Sequence, residues 1–114
     1  MNFEHLNETQ INELALMLGD EFPEFVRTFI SHSGELISSL KKQLYTNDND
    51  AFVINIHSLK GSCRNIGAEQ LANNCLQIEV VARNDTIAVI DPELMSICEE
   101  FNTLKVTLLK LARI

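Results

Sequence analysis

The sequence predicts an all-α protein, an antiparallel four-helix bundle with a short additional N-terminal helix. Four long segments carry apolar residues at steps of three and four, the period of a helix that buries one stripe. Short connections rich in Asn, Asp, Gly or Pro separate them, which sets consecutive helices antiparallel. No stretch shows the sustained alternation of a half-buried strand.

The first, short helix is expected over Asn7–Leu18. Asn7 with Gln10 three residues on forms a capping box, Ile11, Leu14 and Leu18 share a face, and Gly19 supplies a stop. Asp20 then caps a long second helix that ends near Tyr45, and Pro23 is tolerated in a first turn that has no intrahelical partner for its missing N–H. Its seam is Phe22, Val26, Phe29, Ser33, Leu36 and Leu40, extended by Leu44. Residues Thr46 to Asp50 form a turn with a ready N-cap. The third helix carries Phe52, Ile56, Leu59, Cys63 and Ile66 until Gly67 breaks it, and the fourth carries Ala68, Leu71, Cys75, Ile78 and Ala82. Thr86 to Ile90 is β-prone in isolation and reads as an apolar loop packed on the bundle. Asp91 and Pro92 open a fifth helix in the N-cap and N1 order, with the seam Leu94, Ile97, Phe101, Leu104, Leu108 and Leu111.

The totals bound the function. A chain of 114 residues suits a single domain over 1–114, since domains commonly run to roughly 100–150 residues. Apolar residues make up 46%, with only four glycines and two prolines, which excludes a disordered chain. The net charge of −7 argues against nucleic acid and against anionic membrane surfaces as partners. Three cysteines cannot all pair, and Cys63 and Cys75 fall on apolar seams, so they read as small buried hydrophobes in a reducing compartment. The N-terminus lacks the basic start and apolar stretch of a signal peptide, and a cytoplasmic location is expected. With no second apolar stripe apparent on any helix, a monomer is expected.

The chemistry is concentrated on the third helix. His57 lies about 100° around from Ile56, off the buried seam, and Val53, Lys60, Gly61 and Arg64 stack with it at helical spacing. A histidine at its reference pKa of about 6.5 presents a neutral imidazole nitrogen at cellular pH. Lys60, one turn on, can neutralise phosphoryl oxygens, and Gly61 bares the backbone where a partner must come close. Gly61 also costs about 1 kcal/mol relative to Ala in mid-helix, so it calls for a reason. Arg64 either extends the positive patch or dresses the surface. Each residue taken alone has an ordinary reading: a half-exposed histidine, a solvated lysine, a glycine for helix packing. Their joint placement points to a surface that receives a phosphoryl group. His5 and His32 have no such company. The three histidines show no ligand spacing, so no metal site is expected.

The run His57, Leu59, Lys60, Gly61, Ser62, Ile66, Gly67, Ala68, Leu71, Cys75, Ile78 and Glu79 closely resembles the signature of the histidine-containing phosphotransfer (HPt) domains of two-component phosphorelays. The resemblance implies that His57 is the phosphoryl acceptor, that Lys60 steadies the phosphate and that Gly61 gives access. Some family members carry a glutamine at the position of Glu79, which can donate near the phosphohistidine. An ionised glutamate cannot donate. It either accepts from the imidazole Nδ1–H, leaving Nε2 free to attack, or is an ordinary surface acid.

By the same resemblance the partners are response-regulator receiver domains, with a hybrid sensor kinase as a further candidate. The chain binds no cofactor of its own, and Mg²⁺ sits on the receiver. Docking is expected around His57, on Val53, Lys60, Gly61 and Arg64, the exposed faces of the third and fourth helices and nearby parts of the second. Three other readings compete with this one. An autophosphorylating kinase fails on length, on the absence of a Gly-rich nucleotide loop and on Ser-Leu-Lys following His57. A docking module without phosphotransfer keeps no reason for His57, Lys60 and Gly61 together. A module excised from a hybrid kinase is compatible with the residues, although a start at Met1 favours a free-standing protein.

Overall fold

The computed structural model describes residues 6–84, 87 and 91–113. The elements are α1 (Glu8–Leu18), a 3-10 turn (Gly19–Glu21), α2 (Phe22–Thr46), α3 (Asn49–Ile66), α4 (Glu69–Asn84) and α5 (Asp91–Ala112). Helices α2 to α5 form the bundle: α2 packs on α3 and α5, and α4 packs on α3 and α5. The particle is elongated, 42 × 21 × 20 Å, as four long helices side by side require.

The seams are buried as the periodicity demands. Phe52, Ile56, Leu59, Cys63 and Ile66 of α3 are completely inaccessible, and Ala68, Leu71, Cys75, Ile78 and Ala82 meet them from the α4 side. Phe29 of α2 and Phe101 of α5 close the opposite side, with ring centroids 6.4 Å apart and planes tilted by 52°. On α2 the seam steps from Ser33 to Ile37 and Leu40, leaving Leu36 half-buried. A stripe that follows 3.6 residues per turn drifts off a strict 3.5 repeat, and the step of four at Ser33 absorbs that drift. Ala112 replaces Leu111 at the end of α5 for the same reason.

Both short connections end their helix in the left-handed region and close it with paired backbone bonds. At Asn47 (φ 57°), Asp48 N donates to Gln43 O (2.9 Å) and Asn47 N to Leu44 O (3.3 Å). At Gly67 (φ 84°), Ala68 N donates to Cys63 O (2.8 Å) and Gly67 N to Arg64 O (3.2 Å). The Asp48 side chain then accepts from Ala51 N and caps α3.

Helix α1 caps the end of the bundle where α3 stops. Asn7 Oδ1 accepts from Gln10 N (3.0 Å), the forward half of a capping box. The reverse half does not form. Gln10 Nε2 instead donates to Arg64 O (2.8 Å) and Asn65 O (3.3 Å), and Asn7 N donates to Gly67 O (2.7 Å). The final carbonyls of α3 have no intrahelical donors; the turn at Gly67 supplies some, and Gln10 of α1 adds its own to Arg64 O and Asn65 O. Asp20 makes no cap to α2; it lies inside the 3-10 turn, and the N-cap is Glu21 with no side-chain bond. Of the stretch Thr86–Ile90, only Ile87 falls within the described residues, and it is fully buried. Asp91 is described in its backbone only, so the side-chain cap expected of it lies outside the described part of the chain, as does the placement of His5.

Candidate functional site

His57 stands on the outer side of α3, its imidazole 60% exposed. The antiparallel register of α3 and α4 sets Glu79 beside it. Glu79 faces inward with its side chain only 5% exposed, so the carboxylate must find partners within the protein.

It finds three. Oε2 accepts from His57 Nδ1 (2.9 Å) and from Arg83 Nε (3.0 Å) and Nη2 (2.7 Å), and Oε1 lies 2.7 Å from Lys60 Nζ. Burial pushes the Glu79 pKa up, but the contacts from Lys60, Arg83 and His57 outweigh it and hold the carboxyl at about 2. Glu79 is therefore an anion at any physiological pH. An ionised carboxylate only accepts, so the proton between Glu79 and His57 sits on Nδ1. The neutral tautomer is thereby fixed, with the lone pair on Nε2, at the ring edge away from the buried carboxylate.

Lys60 is placed differently from its expected position on the exposed stripe. Its side chain is 11% exposed and runs under the surface to Glu79. The position is four residues after Ile56 and three before Cys63, at the flank of the buried seam, which draws the aliphatic stem inward. Gly61 is exposed, and a Cβ added there would meet nothing within 4 Å. Arg64 is exposed and lies two helical turns from His57, about 10 Å along the axis. Val53 is half-buried one turn before the histidine. The structure thus gathers His57, Lys60 and Glu79 into one cluster, with Gly61 bare beside it and Arg64 more distant.

Glu79 is not a surface acid. Arg83 was not among the sequence candidates; the signal for it was its place four residues after Glu79, the spacing at which an acid and a base meet on a helix. Around the cluster the surface is unexpectedly apolar. Ile54 on α3 is 65% exposed, and Leu76 and Val80 face outward on α4 at an i, i+4 spacing. His32 is exposed on α2, beside Phe25, Thr28, Ser62 and Asn65 and apart from this cluster.

Among the described residues, no helix is long and apolar enough to cross a membrane. Behind the site Cys63 and Cys75 are both buried, and the hydrogen bond between them, together with burial, pushes the Cys75 thiol pKa far up. Both are small packing groups of the core.

The family model of the Hpt domain matches residues 24–110. No curated protein matches the sequence significantly. Among solved structures, histidine-containing phosphotransfer protein B of Pseudomonas aeruginosa is 27% identical with a TM-score of 0.93, over 98% of this chain and 97% of its own. A histidine-containing phosphotransfer protein from maize shares the fold at 23% identity, with a TM-score of 0.86 over 96% of this chain and 90% of its own. The HPT domain of a hybrid sensor histidine kinase from Shewanella does so at 18% identity, with a TM-score of 0.76 over 96% of this chain and 95% of its own. The match spans the helices that carry the His57 cluster, and the chain belongs to the Hpt domain family, the histidine phosphotransfer modules of two-component phosphorelays.

Proposed function

We propose that this protein is a phosphorelay carrier: His57 accepts a phosphoryl group from the aspartyl phosphate of one response-regulator receiver domain and passes it to the aspartate of another. The observation that carries this reading is the exposed imidazole with Nδ1 bound to an anionic Glu79, which supports Nε2 as the attacking atom. Phosphoryl transfer spreads charge over three equatorial oxygens, so the site works by position and charge neutralisation. Lys60 and Arg83 supply positive charge, Gly61 leaves room for the receiver's active site, and Arg64 extends the charged surface. Mg²⁺ belongs to the receiver, and the chain has no kinase activity of its own.

The docking face we assign is the exposed side of α3 and α4 with the adjoining part of α2. Ile54, Leu76 and Val80 offer the apolar contact area and His57, Gly61 and Arg64 the polar centre, with Val53 at the edge. Lys60 serves this face from below. The protein acts as a single-domain monomer in the cytoplasm. A module carried within a hybrid kinase is the second reading, favoured by the shared fold of the Shewanella domain.

The test is a chase. A phosphorylated receiver with Mg²⁺ is mixed with the protein, and an unphosphorylated second receiver is then added. Passage of label onto the protein and off again supports the carrier. Receivers that bind it without exchanging label would leave a docking module.

A further inference from the structure

We infer that Glu79 keeps the Nδ1 proton on His57 through the whole phosphoryl cycle, so that the phosphorylated residue is an imidazolium and no proton moves when the group arrives or leaves. This rests on His57 being the acceptor.

When Nε2 takes a phosphoryl group, the ring either retains its Nδ1 proton and a positive charge or gives that proton up. Giving it up hands the proton either to the atom hydrogen-bonded to it or, since the ring is 60% exposed, to solvent. The second route is opposed by whatever anion stabilises the proton in place. Among the described residues, the charged groups around the ring are Glu79 and Arg83 from α4 and Lys60 from α3. Glu79 Oε2, 2.9 Å away, is the atom against Nδ1, and it already receives two N–H groups of Arg83. With Lys60 on its other oxygen and its side chain 5% exposed, this carboxylate is too weak a base to remove the proton. As a fixed anion it stabilises the proton where it is. The two cations oppose a charged ring, but both point at Glu79, and the incoming group brings its own negative charge. The formal charges of Glu79, Lys60, Arg83, an imidazolium and a dianionic phosphoryl group cancel.

The transfer then balances without acid or base. On loading, the Nε2 lone pair forms the N–P bond as the P–O bond of the aspartyl phosphate breaks, and that electron pair leaves with the carboxylate. On discharge, an oxygen of the accepting carboxylate forms the new P–O bond, and the N–P pair returns to Nε2. The departing group is a neutral imidazole. From a deprotonated phosphohistidine it would be an imidazolate, a far poorer leaving group unless a proton were delivered in step. Glu79 acts through His57 and is a positioning residue.

The experiment loads His57 with phosphoramidate, a small-molecule donor that needs no receiver. The isotope-labelled ring nitrogens are then followed by NMR from about pH 6 to about pH 10. In the wild type, Nδ1 is expected to remain protonated through neutral pH. In Glu79→Gln the ring should titrate at least about one pKa unit lower, with discharge onto a receiver near neutral pH slowed about tenfold. A wild-type phosphohistidine already deprotonated at neutral pH would overturn the inference, and so would coincident titrations in the two proteins. The wild-type measurement decides even if the variant folds poorly. Loading by phosphoramidate with no exchange to any receiver would sink the carrier reading instead, leaving the titration to judge Glu79.

Discussion

Lys60 Nζ lies 2.7 Å from Glu79 Oε1, and both side chains are nearly out of solvent, 11% and 5% exposed. A lysine that looks like a free surface cation is in fact half of an ion pair tying α3 to α4 beneath His57. Lys60→Ala would leave the carboxylate short of its principal counter-charge. Removing one member of such a pair costs on the order of 3 kcal/mol, measurable by urea denaturation. A loss below about 0.5 kcal/mol would mean that the pair is effectively solvated.

The depressed pKa of Glu79 carries a pH signature. The folded value of about 2 lies below the ordinary 4.5, so the stabilisation is fully present above the ordinary value and is lost as pH falls from 4.5 towards 2. The shift corresponds to something on the order of 3 kcal/mol across that window. Unfolding free energy measured against pH should fall more steeply there for the wild type than for Glu79→Gln. Parallel curves would show that Glu79 is not held as an anion by its neighbours.

Substitutions at Gly61 test folding and docking separately. An added Cβ meets nothing, so Gly61→Ala should raise stability by up to about 1 kcal/mol through better helix propensity. Gly61→Phe should also fold, yet reduce transfer from a receiver on the order of a hundredfold by holding the partner off. Equal transfer rates in wild type and Gly61→Phe would show that close approach at this point is immaterial.

Gly67 is a different case. Its φ of 84° is a conformation that a side chain resists, and a Cβ there would meet Gln10 Cδ and Oε1 at 3.4 Å. Gly67→Ala is expected to cost about 1–2 kcal/mol and to loosen α1 from the end of α3, read by thermal melting and by amide exchange in α1. An unchanged melt would show that the turn relaxes freely.

The fold was legible because its information is local. Phe52, Ile56, Leu59, Cys63 and Ile66 declare a buried stripe by spacing alone, and all five are inaccessible. The errors fall where spacing and geometry part: Leu36 gives way to Ile37 as the stripe drifts, and Gln10 spends its amide on α3 instead of its own helix. At the site, His57 and Gly61 stood out because a glycine and a histidine break an otherwise ordinary amphipathic helix. The flank position of Lys60 is visible in its spacing from Ile56 and Cys63, but its pairing is not, and the sequence leaves Glu79 open between imidazole acceptor and surface acid. Both pairings depend on which residue of α4 lies opposite His57, a register set by packing between segments 22 residues apart. Arg83 lay beyond the recognisable motif, and only its i+4 relation to Glu79 marked it.

The most direct test of the central claim is intact-mass analysis after exposure to a phosphorylated receiver with Mg²⁺, for wild type and His57→Gln. The wild type should gain one phosphoryl group that is lost in acid and retained in base. The variant should gain none while keeping its helical circular dichroism and melting temperature. A phosphoryl group on His57→Gln, or an acid-stable one on the wild type, would contradict His57 as the acceptor.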